Sequence, residues 1–581
     1  MRIIDKVNNL YVFEKQVSNL VLGSIFFATF IYIPFLFARY GPIKLTVLSI
    51  SASLILYYLI ISKKLIKYKI IFLIFATNIF SLLLGFYFSD QKISVLLLGA
   101  GGRYNGIYSY LIYILIFVFF TLSSYPKKEI NFRKSILITG FILTIYGYVQ
   151  YFKLDPFYNS AFGKQITLTF GNSNFSSAFM AICSSVIICE ILFSDYSFKT
   201  KLILSFLYAV QGFLIYLIGD LQGIFIFFLV LISCGLLKTS LLIRQNFKYK
   251  FFFRFSLLFS LIYIVFITSK GMGPFYSIFK ASSFIDRIYI WEVGLEIFKN
   301  NWLWGIGYDA FIEGYPKFRT QSSILGRDVD INSYSAHAHN LILNIGATGG
   351  VFLLLSYLFL ILFISIQALK LLRLDKVQSF CLFFVWLGYL TQSMVSIDNL
   401  ILSSWAFASA GLIVSNTIQS TNVLEKVDFQ PDFGKVLMRN LKNPFLNSVV
   451  IFIVTVLLYL PFFNLLNQFK FQNMLSTINS SSSNTTIDKK LSDLVEVAAK
   501  LTDLEAKIYL IKILINSKYF DEALELAIDQ TVTYPNRVLA WDTAAIIYEG
   551  LGKKDLAIPY RLKTIELDPL NYSFRNILNN Y

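Results

Sequence analysis

The residues able to do proton chemistry near neutral pH are few and sit together. Only two histidines occur in the 581-residue chain, both in Ser335-Ala336-His337-Ala338-His339-Asn340-Leu341, just ahead of an apolar run. Imidazole exchanges protons close to pH 7, so a chain that places its whole supply at one spot marks a candidate base there. The i, i+2 spacing suits a strand or loop, and with no third ligand nearby it does not make a metal site; neither a metal nor a cofactor is expected. Upstream, Arg287-Ile288-Tyr289-Ile290-Trp291 opens a segment whose apolar residues Ile288, Trp291, Leu295 and Ile297 recur at helical spacing. That pattern predicts a helix over 287–299 lying along a membrane surface with aromatic anchors. Arg287 at its start carries a planar fork that matches phosphate. The run Asn301-Trp302-Leu303-Trp304-Gly305-Ile306-Gly307-Tyr308-Asp309 comes next. A second candidate is Gly99-Ala100-Gly101-Gly102-Arg103-Tyr104-Asn105-Gly106, whose glycines permit close backbone approach beside an arginine. Arg103, Arg287 and His339 together supply two anion binders and one base. Attack of a hydroxyl on the sugar carbon of a lipid-linked diphosphate needs that set: a base for the proton, and cations for the charge on the leaving diphosphate.

The elements that must position these residues are membrane helices. Hydrophobic residues make up 56% of the chain and charged residues 15%, with a mean hydropathy of +0.63; ordinary soluble domains are about 25% charged. A soluble enzyme, a disordered chain and a disulfide-rich secreted module are excluded. Cys183, Cys189, Cys234 and Cys381 all lie in apolar runs and read as small buried hydrophobes. No cleavable signal peptide is evident, and the first apolar run reads as an anchor.

Apolar runs long enough to span a bilayer fall at 18–38, 43–62, 70–89, 107–124, 135–152, 174–193, 202–219, 221–238, 251–269, 340–369, 378–396, 399–416 and 447–466. With the N-terminus in the cytoplasm, the loops 63–69, 127–134, 194–201, 239–250, 370–377 and 417–446 hold 20 Lys and Arg, against six in the short outer loops (Arg39, Lys44, Lys92, Arg103, Lys153 and Lys164), as the positive-inside rule demands. Residues 490–581 hold 11 Lys and Arg against 13 Asp and Glu, a net −2, so with a total of +17 the remainder carries +19. This placement points to membrane topology and away from nucleic acid. It puts the long loop 270–339 and everything after the last span outside the cytoplasm.

The expected organisation is all-α. A cytoplasmic segment 1–17 precedes membrane helices over 18–269, an extracytoplasmic catalytic loop 270–339, membrane helices over 340–466, a linker 467–489 whose Ser/Thr/Asn-rich stretch Ser476 to Thr486 reads as flexible, and a helical repeat domain 490–581. In that tail Ala523 and Ala557, and Pro535 and Pro569, recur at a 34-residue offset. Trp541, Ala545, Tyr548, Ala557 and Pro569 fall at tetratricopeptide spacing. Stacked helix pairs of that kind present a concave surface for a protein partner.

These residues resemble the O-antigen ligase/polymerase superfamily of bacterial envelope glycosyltransferases. Gly171-Asn172-Ser173-Asn174 is similar to its glycine–asparagine motif, and Arg287 and Trp291 with Gly305 and Gly307 to its outer-loop signature. His339-Asn340 with Gly346, Gly349 and Gly350 is similar to its histidine–asparagine box, and Arg103 with Gly106 to an arginine–glycine motif. The resemblance covers roughly residues 15–420. It implies a bundle of about 12–13 spans of GT-C-like type in the bacterial cytoplasmic membrane. The activity it implies is metal-independent transfer of a glycan from a polyprenyl (undecaprenyl) diphosphate carrier to a hydroxyl acceptor, a protein Ser/Thr or a glycolipid. By analogy His339 is the base, Arg287 and Arg103 hold the diphosphate, and His337, Asn340, Trp291, Tyr308 and Lys164 are substrate-binding candidates. Trp302 joins Tyr308 as a candidate border of the glycan groove. One departure stands out: many members carry Ser-Arg-Gly in a mid-chain turn where this chain reads Asp220-Leu221-Gln222-Gly223, leaving Arg103 or Lys164 to replace the missing cation. Within the family the repeat domain favours a protein acceptor over a polymerase reaction. A lipid-linked glycan flippase would want charges inside the spans, and the spans here are nearly free of them.

Overall fold

The computed structural model describes residues 2–89, 91–99, 103–157, 165–243, 282–327, 329–374, 376–420, 444–479, 484–501 and 503–579. The expected span 251–269, the glycines Gly101 and Gly102, and Lys164 lie outside them. Every other expected span overlaps a helix. Eight of these are long and apolar enough to cross a membrane, and the helix Ile107–Leu122 is apolar but shorter. The described residues are helices joined by turns and loops. Fold and composition together make the chain an integral membrane helix bundle.

Burial sorts the helices. Ile107–Leu122, Ser173–Phe193 and Leu400–Ser420 are enclosed on nearly all sides, and Phe117, Phe119, Phe179 and Phe407 are almost fully covered. Phe198–Ile218 and Leu221–Ile243 lie at the periphery, where Leu202, Phe206, Phe228 and Ile232 stay exposed. Apolar side chains facing outward over whole helices suit a lipid solvent and would be an aggregation surface in water. Cys183, Cys189, Cys234 and Cys381 are buried and unoxidised, as small hydrophobes would be.

Of the expected linker 467–489, residues 467–479 and 484–489 are helical, and 480–483 of its Ser/Thr/Asn-rich stretch lie outside the described residues. The helix Pro444–Asn479 has 36 residues, about 54 Å at 1.5 Å per residue, well beyond a hydrocarbon core of about 30 Å. Its far end inserts Phe471 and Leu475 into a second core with Leu491, Leu494, Ala498 and Leu510. The next helix begins at Asn484. The polar composition hid an apolar face that the C-terminal helices cover. Those helices, Leu504–Asn516, Phe520–Thr533, Val538–Gly550, Lys554–Leu567 and Tyr572–Asn579, pack in succession through Ala523, Ala544, Ala545 and Ala557.

This helical unit sits on the segment carrying the histidines. Arg319 Nη2 donates to Asp568 Oδ2 at 2.7 Å, both side chains almost fully buried. Tyr334 Oη donates to the same carboxylate oxygen at 2.8 Å, and Asn571 Nδ2 donates to Asn332 Oδ1 at 2.8 Å. The short helix Ile93–Leu98 adds Val95 to a cluster with Leu504, Tyr534 and Ala540.

Candidate functional site

The glycines of the histidine segment work through backbone docking. The helix Leu341–Leu371 is interrupted at Gly350, at φ 70°. The turn 302–307 fills the break: Val351 N donates to Trp302 O at 2.7 Å, Ile306 N to Ala347 O at 3.1 Å and Gly307 N to Thr348 O at 3.0 Å. A Cβ on Gly305 or Gly350 would collide with the opposing main chain. The docked turn then buries Tyr308, whose hydroxyl donates to Ser81 O and Leu82 O at 3.3 Å and whose ring lies against Gly85. Asp309 comes next at φ 57°, and its Oδ1 lies 3.4 Å from His337 Nδ1.

His339 is itself at φ 49°, a conformation costly for a side chain larger than glycine and concentrated at functional sites. Asn340 fixes the start of the adjoining helix. Its Oδ1 caps that helix by accepting from Leu343 N at 3.1 Å, and its Nδ2 donates to Met394 O at 3.0 Å.

Three arginines surround His339. Burial first, then Arg287, Arg103 and Arg327, pull its pKa down to about 4. The imidazole is therefore neutral at pH 7, with a lone pair to accept a proton. Burial, followed by Arg103, holds His337 well below its ordinary value. Arg287 rises from the helix Ser282–Asn300 and interacts with Asp220, which also bonds Ser173. Arg327 donates to Tyr315 Oη at 2.7 Å and stands 3.6 Å from Asp286.

Arg103 lines a cavity of about 180 Å³ together with Lys44, Gly171, Asn172, Asp398 and Asn399. Its turn is pinned on both sides: Asn464 Nδ2 donates to Tyr104 Oη at 3.0 Å, and Asn105 Nδ2 donates to Asp398 O at 3.1 Å. Asn172 caps the helix Ser173–Phe193, its Oδ1 accepting from Asn174 N at 2.9 Å. Lys44 is buried and donates to Thr169 O at 2.6 Å. Asp398 accepts from Ser403 Oγ at 2.8 Å and Tyr389 Oη at 3.0 Å, and burial pushes its carboxyl up to about 6. Arg103, the Lys44 amine and a helix N-terminus line it together with the Asp398 carboxyl.

The structure thus gathers His339, Arg287 and Arg103, and adds Lys44, Arg327 and Asp398. Lys44 carried a sequence signal only as one of few cations on its side of the bundle, and Asp398 as the lone acid before the helix Leu400–Ser420. The other expected substrate contacts are placed as follows. Tyr308 is 1% exposed and anchors the turn to a helix, because Gly85 leaves room for its ring. Asn340 has both amide ends committed to backbone. Trp291 packs edge-on against Phe284, and Trp302 is largely exposed. The helix 287–299 forms as expected with a different inner face: Ile290, Val293 and Ile297 are buried, while Ile288 and Leu295 are exposed. The loop core, not a flat surface, selects the face. Gln222 is buried with neither amide atom in a hydrogen bond of normal geometry, and it is not among the described residues lining the Arg103 cavity.

The described residues thus form a membrane helix bundle with two histidines and several basic side chains near one end, and the family match below supports an integral membrane glycan ligase or transferase. Residues 206–358 match the family model described as O-antigen ligase, which supports a likeness to the O-antigen ligase superfamily over that part of the chain. The match contains His337, His339 and Arg287; Lys44, Arg103, Asn172 and Asp398 lie outside it. No curated protein matches the chain.

Proposed function

We propose that this protein transfers a glycan from a polyprenyl diphosphate carrier, undecaprenyl diphosphate in bacteria, to a hydroxyl acceptor. It acts at the extracytoplasmic face of the cytoplasmic membrane, as an O-oligosaccharyltransferase or O-antigen ligase. The observation that carries this reading is the neutral His339 among Arg287, Arg103 and Arg327. In the reaction, His339 takes the acceptor's hydroxyl proton as the oxygen bonds to the anomeric carbon. The carbon–oxygen bond to the carrier breaks, and the diphosphate leaves with the electron pair, its charge met by Arg287 and Arg103. Lys44 joins Arg103 as a cation toward the departing diphosphate. Negative charge among the arginines also raises the basicity of His339, so the base strengthens once the donor is bound. The C-terminal helices, read as tetratricopeptide-type repeats, favour a protein acceptor.

The test is transfer by purified protein in nanodiscs, using the carrier-linked glycan of the native host. A host-protein extract and a carrier-only mixture are offered separately as acceptors. Transfer to protein that is lost in His339→Ala is expected. Polymerisation on the carrier instead would overturn the acceptor assignment, and transfer undiminished by the substitution would overturn the base.

A further inference from the structure

A second cavity, of about 260 Å³, lies at the seam where the turn 305–307, the segment after the helix Lys69–Tyr87 and the C-terminal helices meet. Its wall takes Phe88 and Gln91 from the first segments of the chain, Glu313, Lys317 and Phe318 from the histidine loop, and Asn536 from the C-terminal unit. The chemistry differs from that of the Arg103 cavity. Among its described lining residues one lysine is balanced by one carboxylate, so nothing selects a diphosphate. Glu313 is 5% exposed and interacts with Arg537, itself buried. Gln91 lies beside Glu313, yet both its amide atoms are buried and lack a hydrogen-bond partner of normal geometry among the described residues. Buried amide groups left in that state are costly unless a ligand or water satisfies them.

Amides and a carboxylate offer donors and acceptors side by side, which is what vicinal hydroxyls require. Phe88 and Phe318 supply apolar surface for the C–H faces of a ring. Phe88 is held in place by stacking on Trp304 at 3.9 Å between centroids. The cavity also stands back to back with the reactive end. A Cβ on Gly307 would come within 2.9 Å of Gln91 and Ser89, while Asp309, two residues on, faces His337.

We propose that this seam cavity is a saccharide subsite that binds sugars of the transferred glycan beyond the one bonded to the diphosphate. The C-terminal unit completes it by contributing Asn536. The inference rests on the glycan-transfer reading for the identity of the saccharide.

The test is direct binding, without turnover, to full-length protein in nanodiscs free of sugar detergent. The probes are the host's carrier glycan released from its lipid and, separately, the oligosaccharide released from the host's envelope glycolipid. Wild type, His339→Ala, Gln91→Leu and Asn536→Leu are titrated. Expected is binding of the carrier glycan by wild type and His339→Ala alike, weakened about tenfold in each of the other two variants, the loss of roughly one hydrogen bond to a buried group. Thermal unfolding of the two variants is expected to match wild type. Tighter binding of the glycolipid oligosaccharide, with the same dependence on Gln91 and Asn536, would keep a saccharide subsite and overturn its assignment to the donor. Absence of binding by either probe, or binding indifferent to both variants, would overturn the subsite. Glycan binding that depends on Gln91 and Asn536 in a wild-type protein that transfers nothing would overturn the transferase reading and leave the subsite standing.

Discussion

As the proposed base, His339 is set by its cationic surroundings. With its pKa near 4 in the free protein, it loses its lone pair only as the pH falls through that value, far below the 6.5 of an ordinary imidazole. We expect kcat/KM for transfer to hold down to about pH 5 and then fall. The acid limb of kcat is expected at higher pH, since bound diphosphate offsets the arginines. Both profiles come from initial rates measured across pH 4–8 at low and saturating donor, and a kcat/KM limb centred near 6.5 would contradict the electrostatics. Asp398 gives a second readout. Its carboxyl, near 6, is charged above that pH and neutral below it, so the cavity it shares with Lys44 and Arg103 becomes more positive on acidification. Inorganic diphosphate is expected to bind more tightly at pH 5.5 than at 7.5, and Asp398→Asn to bind tightly at both, by calorimetry.

At the scale of elements, the site depends on a broken helix. Gly350 leaves the helix Leu341–Leu371 open for the turn 302–307, and its φ of 70° admits glycine far better than any other residue. Gly350→Ala is expected to cost about 1–3 kcal/mol and to cut transfer sharply, because the turn it releases carries Tyr308 and Asp309 toward His337. Tyr308→Phe is milder: the ring still packs on Gly85, and the lost bonds are long at 3.3 Å. Its expected cost is at most about 1 kcal/mol, with activity retained. Thermal unfolding and transfer rates of the two variants together separate docking of the turn from chemistry at the tyrosine.

Across the whole molecule, the C-terminal unit and the histidine loop form one interface. Arg319 and Asp568 are almost fully buried there, so removing one partner leaves an uncompensated charge. Arg319→Ala is expected to weaken docking by about 3–5 kcal/mol. Hydrogen exchange would report this as faster exchange in 311–334 and 564–579, with the membrane helices unchanged. Arg319→Met combined with Asp568→Leu is expected to recover much of the loss, since it removes both charges; a double variant as disrupted as the single would assign the interface to Tyr334 and Asn571 instead.

The sequence by itself determined the membrane class and the helix over 287–299, and it singled out the only two histidines. Those rest on composition, on apolar run length and on the rarity of a residue type, all of which survive without coordinates. It did not determine which histidine was enclosed by the loop core, that Tyr308 and Asn340 serve the backbone, or that 467–479 continues a helix. Nor did it bring Lys44 and Asp398, more than 350 positions apart, to one cavity. Such facts depend on which distant segments meet. Burial, pKa and hydrogen-bond partners belong to that meeting, and the tertiary structure alone decides it.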